Sequence, residues 1–584
     1  MDKIIILGAG VMQGPAIRIA GEMGFERHVL DGDAEAAHRG SGEYFHHIDL
    51  KDKERILELA VRLKDSSGRL GVMTAGTDFS ASVAFVAEKL GLPGHRYEAA
   101  LNATDKARMR ACFQAAGVAS PAWMVVDEEA LRNGGAVAKP FHGFASGVLH
   151  GKTPCLDIRR GRGRGIVDAI GGGAPVEGVA KPLRGFASGV LHGKTPCLDT
   201  KQGRSEGGGN ASCRDFPPLA GGAGSFDWAF PLVVKPCDNM GGRGCSRVDS
   251  LAGLEAALAD AVRFSRTGRA IVEEYMDGAE FSVDAIVYEG RLWECGFADR
   301  HIFFPPYFVE MGHTMPSNAG AREKDMLMRC FDAGVKALGL TCGAVKGDLK
   351  LTRKGPMIGE IAARLSGGFM SGWTYPYSSG FEVTKAAIEI AMGREPDIPR
   401  ERGDWTSAER AVISIPGTVR EVLGVEEAAR MTDVEQVFMR VSPGSKVVFP
   451  RNNVEKCGNV LSRSRYRRDA IGAAEKAAQA ILIRLEPGNP ETEAFLAQPP
   501  ETPYPPSAIQ ACPNGERRDY AGREAREIMA IVRALTGERM MDNPSLEKAL
   551  FRGGYQGAVY YMDTRMGTAG HQLDRELLGK LPPA

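Results

Sequence analysis

The sequence predicts an α/β (α+β) protein of several domains, and three observations carry that prediction. Residues 1–100 alternate short apolar runs with helix-length segments, the pattern of a parallel sheet covered by helices. Beyond residue 230, apolar strands recur around a Gly-rich loop and two acids twelve residues apart. The chain of 584 residues holds 73 glycines, and 22 of them crowd into residues 133–225. At roughly 100–200 residues per domain, the length itself implies three or four domains.

In the first hundred residues the strand KIIIL meets Gly8 and Gly10, and a helix through Ile17 to Met23 follows. HVLDGD, a helix over 51–64, LGVMTAGTD and a helix over 80–91 complete the series. Gly8, Gly10 and Gly14 sit on the first strand-to-helix turn, and Asp31 ends the second strand where a ribose-binding acid would stand. The spacing is G-x-G-x-x-x-G, so a half-Rossmann domain with a role other than NAD(P) binding is the expectation. Asn102–Asp105 then precedes a helix from Lys106 to Ala116, with Thr104 or Asp105 as its cap and Gly117 as its stop.

Residues 133–225 read as an insertion. Val137–Asp157 and Val179–Asp199 match at 19 of 21 positions, differing at Phe141/Leu183 and His142/Arg184. Two copies fall short of the three that a stacked solenoid requires. Gly-rich linkers surround them, and no catalytic role is expected of the segment. Its removal joins Val125-Val126 fairly directly to Leu232-Val233-Val234-Lys235-Pro236.

That second strand leads into Asp238-Asn239-Met240-Gly241-Gly242-Arg243-Gly244, where main-chain amides can approach phosphate oxygens while Lys235 adds fixed positive charge. A helix over 250–264 comes next, and Ala270–Glu280 leads into the strand Phe281–Val287. Gly347–Leu351 and Met357–Arg364 read as a hairpin that sets Asp348 opposite Glu360, two oxygen ligands of the kind Mg²⁺ takes together with nucleotide phosphates. Pro499–Ser507, PPETPYPPS, reads as a linker to a helical tail.

Composition narrows the function. Lys+Arg and Asp+Glu both number 73, so the zero balance offers no electrostatic case for nucleic acid or an anionic membrane. No run approaches the ~18 apolar residues of a membrane span, and Met1–Leu7 lacks the length of a signal peptide. Eleven cysteines without a C-x-x-C pair suggest neither a disulfide framework nor a zinc site, so a cytoplasmic setting is expected.

In order along the chain, these segments resemble the ATP-grasp superfamily of carboxylate–amine ligases, which includes carbamoyl-phosphate synthase, biotin carboxylase and L-amino-acid ligases. The resemblance implies a half-Rossmann domain over 1–100 and a two-lobed ATP-grasp domain over 101–132 and 226–400. A β-rich cap would follow over 405–490, and a helical tail of unknown role over 500–584. It implies ATP binding by Lys106, Lys235, Gly241, Gly242, Gly244, Glu273, Glu274, Met276 and Glu280. The hinge against adenine would be Glu273, Glu274 and Met276, and the ribose acid Glu280. Asp348 and Glu360 would hold Mg²⁺ (or Mn²⁺), while Arg364 steadies an acyl phosphate and Lys235 acts beside it. Glu310 and His313, in an E-x-x-H segment, resemble an acceptor-pocket pair; read without the resemblance they are an ordinary helix start. Lys139 and Lys181 imitate the V-V-K-P strand without its loop and read as decoys.

The implied activity is ADP-forming: a small carboxylate becomes an acyl phosphate and an amine attacks it, in a homodimer. Carboxyphosphate chemistry is the alternative, although no A-M-K-M biotin site is present. Ala362, where many members carry Asn, raises a second alternative: an ATP-binding regulatory protein with weakened turnover.

Overall fold

The computed structural model describes residues 1–64, 68–132, 229–399, 403–512, 515–536 and 543–566. The repeated segment at 133–225, with Lys139 and Lys181, and the end of the tail lie outside the described residues.

Four parallel strands open the chain: β1 (Lys3–Leu7), β2 (Glu26–Asp31), β3 (Tyr44–His47) and β4 (Leu70–Thr74), in the order β3-β2-β1-β4. All five β1 residues are buried because helices cover both faces, which explains the uninterrupted apolar run. The Gly8–Gly10 turn is closed on itself. Ala9 N–H donates to Asp31 Oδ2 at 2.7 Å and Gly10 N–H to Gln13 Oε1 at 3.0 Å. The amides and the acid a dinucleotide would need are therefore engaged within the turn.

A second sheet joins β5 (Trp123–Asp127), β6 (Leu232–Pro236), β7 (Ser246–Val248) and β8 (Arg269–Glu274) in the order β5-β8-β6-β7. Here the structure corrects the expectation of a direct join. Both β5 and β6 pair antiparallel with β8, so they run parallel with β8 between them. Any connection must return along a full strand length, which parallel neighbours always require.

The main sheet uses β9 (Ala279–Tyr288), β10 (Arg291–Phe303), β11 (Val309–Met315), β12 (Gly343–Thr352) and β13 (Gly355–Ala362). It continues through β14 (Thr406–Val412), while β15 (Gly417–Leu423) pairs elsewhere. β16 (Val434–Met439) and, after β17 (Lys446–Val447), β18 (Gly458–Ser464) complete eight strands in the order β13-β12-β9-β10-β11-β14-β18-β16. The segment from Thr406 onward thus extends the same sheet, while β17, β15 and β19 (Leu482–Leu485) form a small sheet beside it.

The Pro-rich stretch is packed rather than linking. Tyr504 O–H donates to Pro450 O at 2.6 Å, and its ring meets Phe449 and Tyr307 edge-on. After a short hairpin, the helix Pro544–Met566 buries Ala549 and Tyr560 in the same core as Val419 and Ile483. Arg484 and Asp563 close that contact with two hydrogen bonds of 2.5 and 2.6 Å, both side chains being buried.

Candidate active site

Lys106 opens its helix because Asp105 caps it: the Asp105 carboxylate accepts the Arg108 N–H at 3.0 Å, and Gly117 ends the helix at φ +66°. Held at the first turn, the buried Lys106 points its ammonium at Asn239 O (2.7 Å) and lies 3.7 Å from Glu360 Oε1. Burial would lower its pKa, but the Glu360 carboxylate raises it, so it stays charged.

Lys235 and Glu273 share a face of the second sheet, since Val233 registers with Glu273 and side chains two apart point the same way. Lys235 Nζ donates to Glu273 Oε2 at 2.6 Å, and Arg110 Nε donates to Oε1 at 2.7 Å. Burial pushes the Glu273 carboxyl up, yet Arg110 and Lys235 hold it at about 2. Its carboxylate is thus the anchor of two cations, and only its main chain belongs to the hinge strand. Glu274 instead pairs with Lys354 at the rim, and Met276 O accepts from Lys350 Nζ at 2.9 Å.

On the main sheet Asp348 and Glu360 are direct cross-strand partners. A bulge after Asp348 leaves Gly359 extra, and its freed carbonyl accepts Arg110 Nη2 at 2.6 Å. Asp348 takes a hydrogen bond from Ser282 Oγ (2.9 Å) and one from Lys346 Nζ (2.7 Å). Burial raises the Asp348 carboxyl, but Arg300 and Lys346 bring it to about 2; Glu360 is likewise held low, by Lys106, against burial. Two ionised carboxylates in register, with phosphate oxygens and water to complete the shell, are a donor set that fits Mg²⁺. Among the described residues no cluster of three or more His, Cys, Asp or Glu could hold a metal by itself.

Lys106, Lys235, Glu273, Asp348 and Glu360 line one pocket of about 130 Å³ with Met240, Gly241, Gly242, Glu274, Met276 and Glu280. Gly241, Gly242 and Gly244 all have φ between +65° and +77°, the left-handed region glycine enters freely. Gly244 does not line the pocket; it backs the loop against Phe264 and Pro236.

Sequence reasoning missed Arg300. Its guanidinium reaches Glu310 Oε2 (2.9 Å), Glu280 Oε2 (3.4 Å) and Asp348 Oδ2 (3.5 Å). It lies far from any motif, so only strand register could have found it; Lys346, two before Asp348, was readable from alternation. Glu310 and His313 stand on strand β11, not at a helix start, and line no part of the pocket. Burial would lower the His313 pKa, but Glu310 and Glu409 raise it to about 9. His313 Nδ1 lies 2.7 Å from Glu409 Oε2, and Nε2 lies 3.5 Å from Glu310 Oε2. Arg364 is also outside the pocket lining. It is buried just past β13, with Nη1 donating to Leu365 O (3.0 Å) and Nε buried without a partner.

A glycine-rich loop, two lysines and facing carboxylates meet between two sheets, in an ATP-grasp fold. Residues 228–372 match the ATP-grasp domain model, and residues 411–486 match L-amino acid ligase C-terminal domain 2. Residues 228–372 of this chain thus carry an ATP-grasp domain. It is 32% identical over 129 residues to carnosine synthase 1 of Gallus gallus, covering 22% of this chain and 14% of that protein. Dapdiamide A synthase of Enterobacter agglomerans is 30% identical over 156 residues, covering 25% of this chain and 35% of its own. The uncharacterized protein y4rH of Sinorhizobium fredii is 23% identical over 266 residues, 44% of this chain and 54% of that one. The chain thus spans about half or less of these curated relatives. In fold it is similar to the L-amino acid ligase from Bacillus licheniformis, with TM-score 0.59 at 16% identity, over 83% of this chain and 99% of that one. Phosphoribosylglycinamide synthetase from Anaerococcus prevotii gives 0.54 at 17%, over 83% and 100%. No helix among the described residues is long and apolar enough to cross a membrane.

Proposed function

We propose that the protein is an ADP-forming carboxylate–amine ligase that activates its acid as an acyl phosphate. The observation that carries this reading is the convergence of Lys106, Lys235, Asp348 and Glu360 on one pocket under a glycine-rich loop. Lys106, Lys235 and the amides of Gly241 and Gly242 would receive the phosphates, with Met276 near the base and Glu280 near the ribose. Asp348 and Glu360 would hold Mg²⁺ or Mn²⁺, whose charge offsets that of the phosphate oxygens when bound. The substrate carboxylate oxygen attacks the γ-phosphorus and ADP leaves; an amine nitrogen then attacks the acyl carbon, phosphate departs, and an amide forms with loss of a proton. Arg364, buried beyond the pocket lining with an unpartnered Nε, would receive the anionic intermediate. Glu310 and His313 would shape the acceptor end through Arg300. This work is positioning and electrostatics, as phosphoryl transfer demands. A cytoplasmic homodimer is part of the proposal.

One observation favours a second reading. Ala362 is buried where an oxygen ligand is usual, which supports an ATP-binding regulator with slow turnover. ADP release screened over amino acids, dipeptides, small acids and bicarbonate separates these readings, bicarbonate-dependent hydrolysis alone marking carboxyphosphate chemistry. Lys235→Met should lower turnover by about 10²-fold or more. Near-normal ADP release in that variant would sink the assignment.

A further inference from the structure

Strand register sets out rows of side chains on the face of the main sheet that carries the two acids. Glu280 on β9 stands opposite Lys350 on β12, and Ser282 stands opposite Asp348, which in turn faces Glu360 on β13. One step further along the same face come Asp284, Lys346 and Ala362, each directly opposite the next. Ala362 therefore brings no oxygen beside the acids, and its cross-strand partner is a lysine.

Asp284 does not hold that lysine. Its two carboxylate oxygens accept the hydroxyls of Ser366 (2.5 Å) and Ser371, while the Lys346 ammonium donates to Asp348 Oδ2 at 2.7 Å. Arg300 Nη1 approaches the same oxygen at 3.5 Å, and Ser282 Oγ donates to Oδ1 at 2.9 Å. A carboxylate offers about four lone-pair directions. With Oδ2 faced by two cations and Oδ1 already accepting once, Asp348 keeps one direction for a metal. Phosphoryl-transfer sites use one divalent ion or two to offset phosphate charge. Two ions on two acids, with no third oxygen ligand, would need Asp348 to bridge them through the oxygen that the ammonium holds.

We propose that Lys346 stands in for a second divalent ion. The nucleotide complex then holds one divalent ion, on Asp348 and Glu360, and the Lys346 ammonium supplies the remaining positive charge beside it. The inference rests on the nucleotide reading of the pocket and is independent of which acid and amine are joined. It also gives Ala362 a meaning other than weakened turnover, since an oxygen ligand there would have no second ion to hold.

Equilibrium dialysis of the full chain against Mn²⁺ and β,γ-methylene-ATP tests this without turnover, by counting both bound species. Wild type should bind one Mn²⁺ per nucleotide. Lys346→Met should keep that count and weaken nucleotide binding about tenfold or more. Lys346→Glu, which exchanges the ammonium for a carboxylate, should raise the count to two. Two Mn²⁺ per nucleotide on wild type would overturn the inference, because the ammonium would then only hold Asp348 until metal displaces it. Wild-type nucleotide affinity in Lys346→Met, or a count of one in Lys346→Glu, would overturn it as well. If either variant fails to fold, the wild-type count decides. Absence of any nucleotide binding to wild type would remove the reading of the pocket together with the inference, whereas a wild-type count of two removes the inference alone.

Discussion

Glu273 is the residue on which two cations depend, because Arg110 is fully buried and Lys235 is partly so. Removing a buried partner leaves an uncompensated charge, so Glu273→Ala should cost about 3–5 kcal/mol in urea denaturation. It should also release Lys235, and Mg-ADP affinity should fall with stability. His313 supports a pH prediction. It faces Glu310 on its own strand, Glu409 on β14, and Arg300 and His301 on β10. Its pKa is raised in the fold, so its stabilisation is full below about 6.5 and disappears as pH rises through about 9. Denaturation from pH 6 to 10 should show wild type losing up to about 3 kcal/mol that His313→Gln does not lose. Parallel curves would discard the charged His313. These residues were partly legible: lysines, carboxylates and E-x-x-H stood in motifs, whereas Arg300 and Arg110 gained meaning only from partners far along the chain.

The loop around Gly241–Gly244 and the hairpin β12–β13 are the elements that make the pocket. The loop is tethered where Asn453 N–H donates to Gly241 O at 2.9 Å, and the pocket beneath holds only about 130 Å³. The loop is therefore the element expected to move when a nucleotide binds. Hydrogen exchange over 239–245 should be fast in the free protein and slow by about tenfold or more with Mg-ADP bound. Unchanged exchange would show that the loop takes no part. Gly278 sets the turn into β9 at φ +90°, where an added Cβ would collide with the Leu351 carbonyl. Gly278→Ala should cost more than the ~1 kcal/mol of an ordinary glycine replacement, measured by thermal melting. The hairpin was readable from twelve-residue spacing, and the helix from Lys106 from its cap and stop. The E-x-x-H segment misled as a helix start because three-residue spacing is shared by helix turns and bulged strands.

At the scale of the molecule, the repeated segment divides the second sheet in sequence without dividing it in space, since β5 and β6 flank β8. Replacing residues 143–224 by nothing leaves about ten residues or more on the crossover, enough to span one short strand at ~3.3 Å per residue. That deletion should keep Mg-ADP affinity within about twofold and the melting temperature within a few degrees. Loss of nucleotide binding would give the segment a role in the site. The tail was the larger surprise: its prolines looked like a linker, yet Tyr504, Tyr560 and Asp563 pack into the cap. By itself the sequence determined the alternation of elements, the boundaries of the repeat, and the lysines and carboxylates that the fold brings to one pocket, because local periodicity and motif chemistry need no partner. Only the tertiary structure decided that Glu273 anchors Lys235, that Arg300 joins three acids, and that Lys346 stands opposite Ala362. Those facts depend on which strands lie side by side, and strand order is set by long-range pairing that no local pattern encodes.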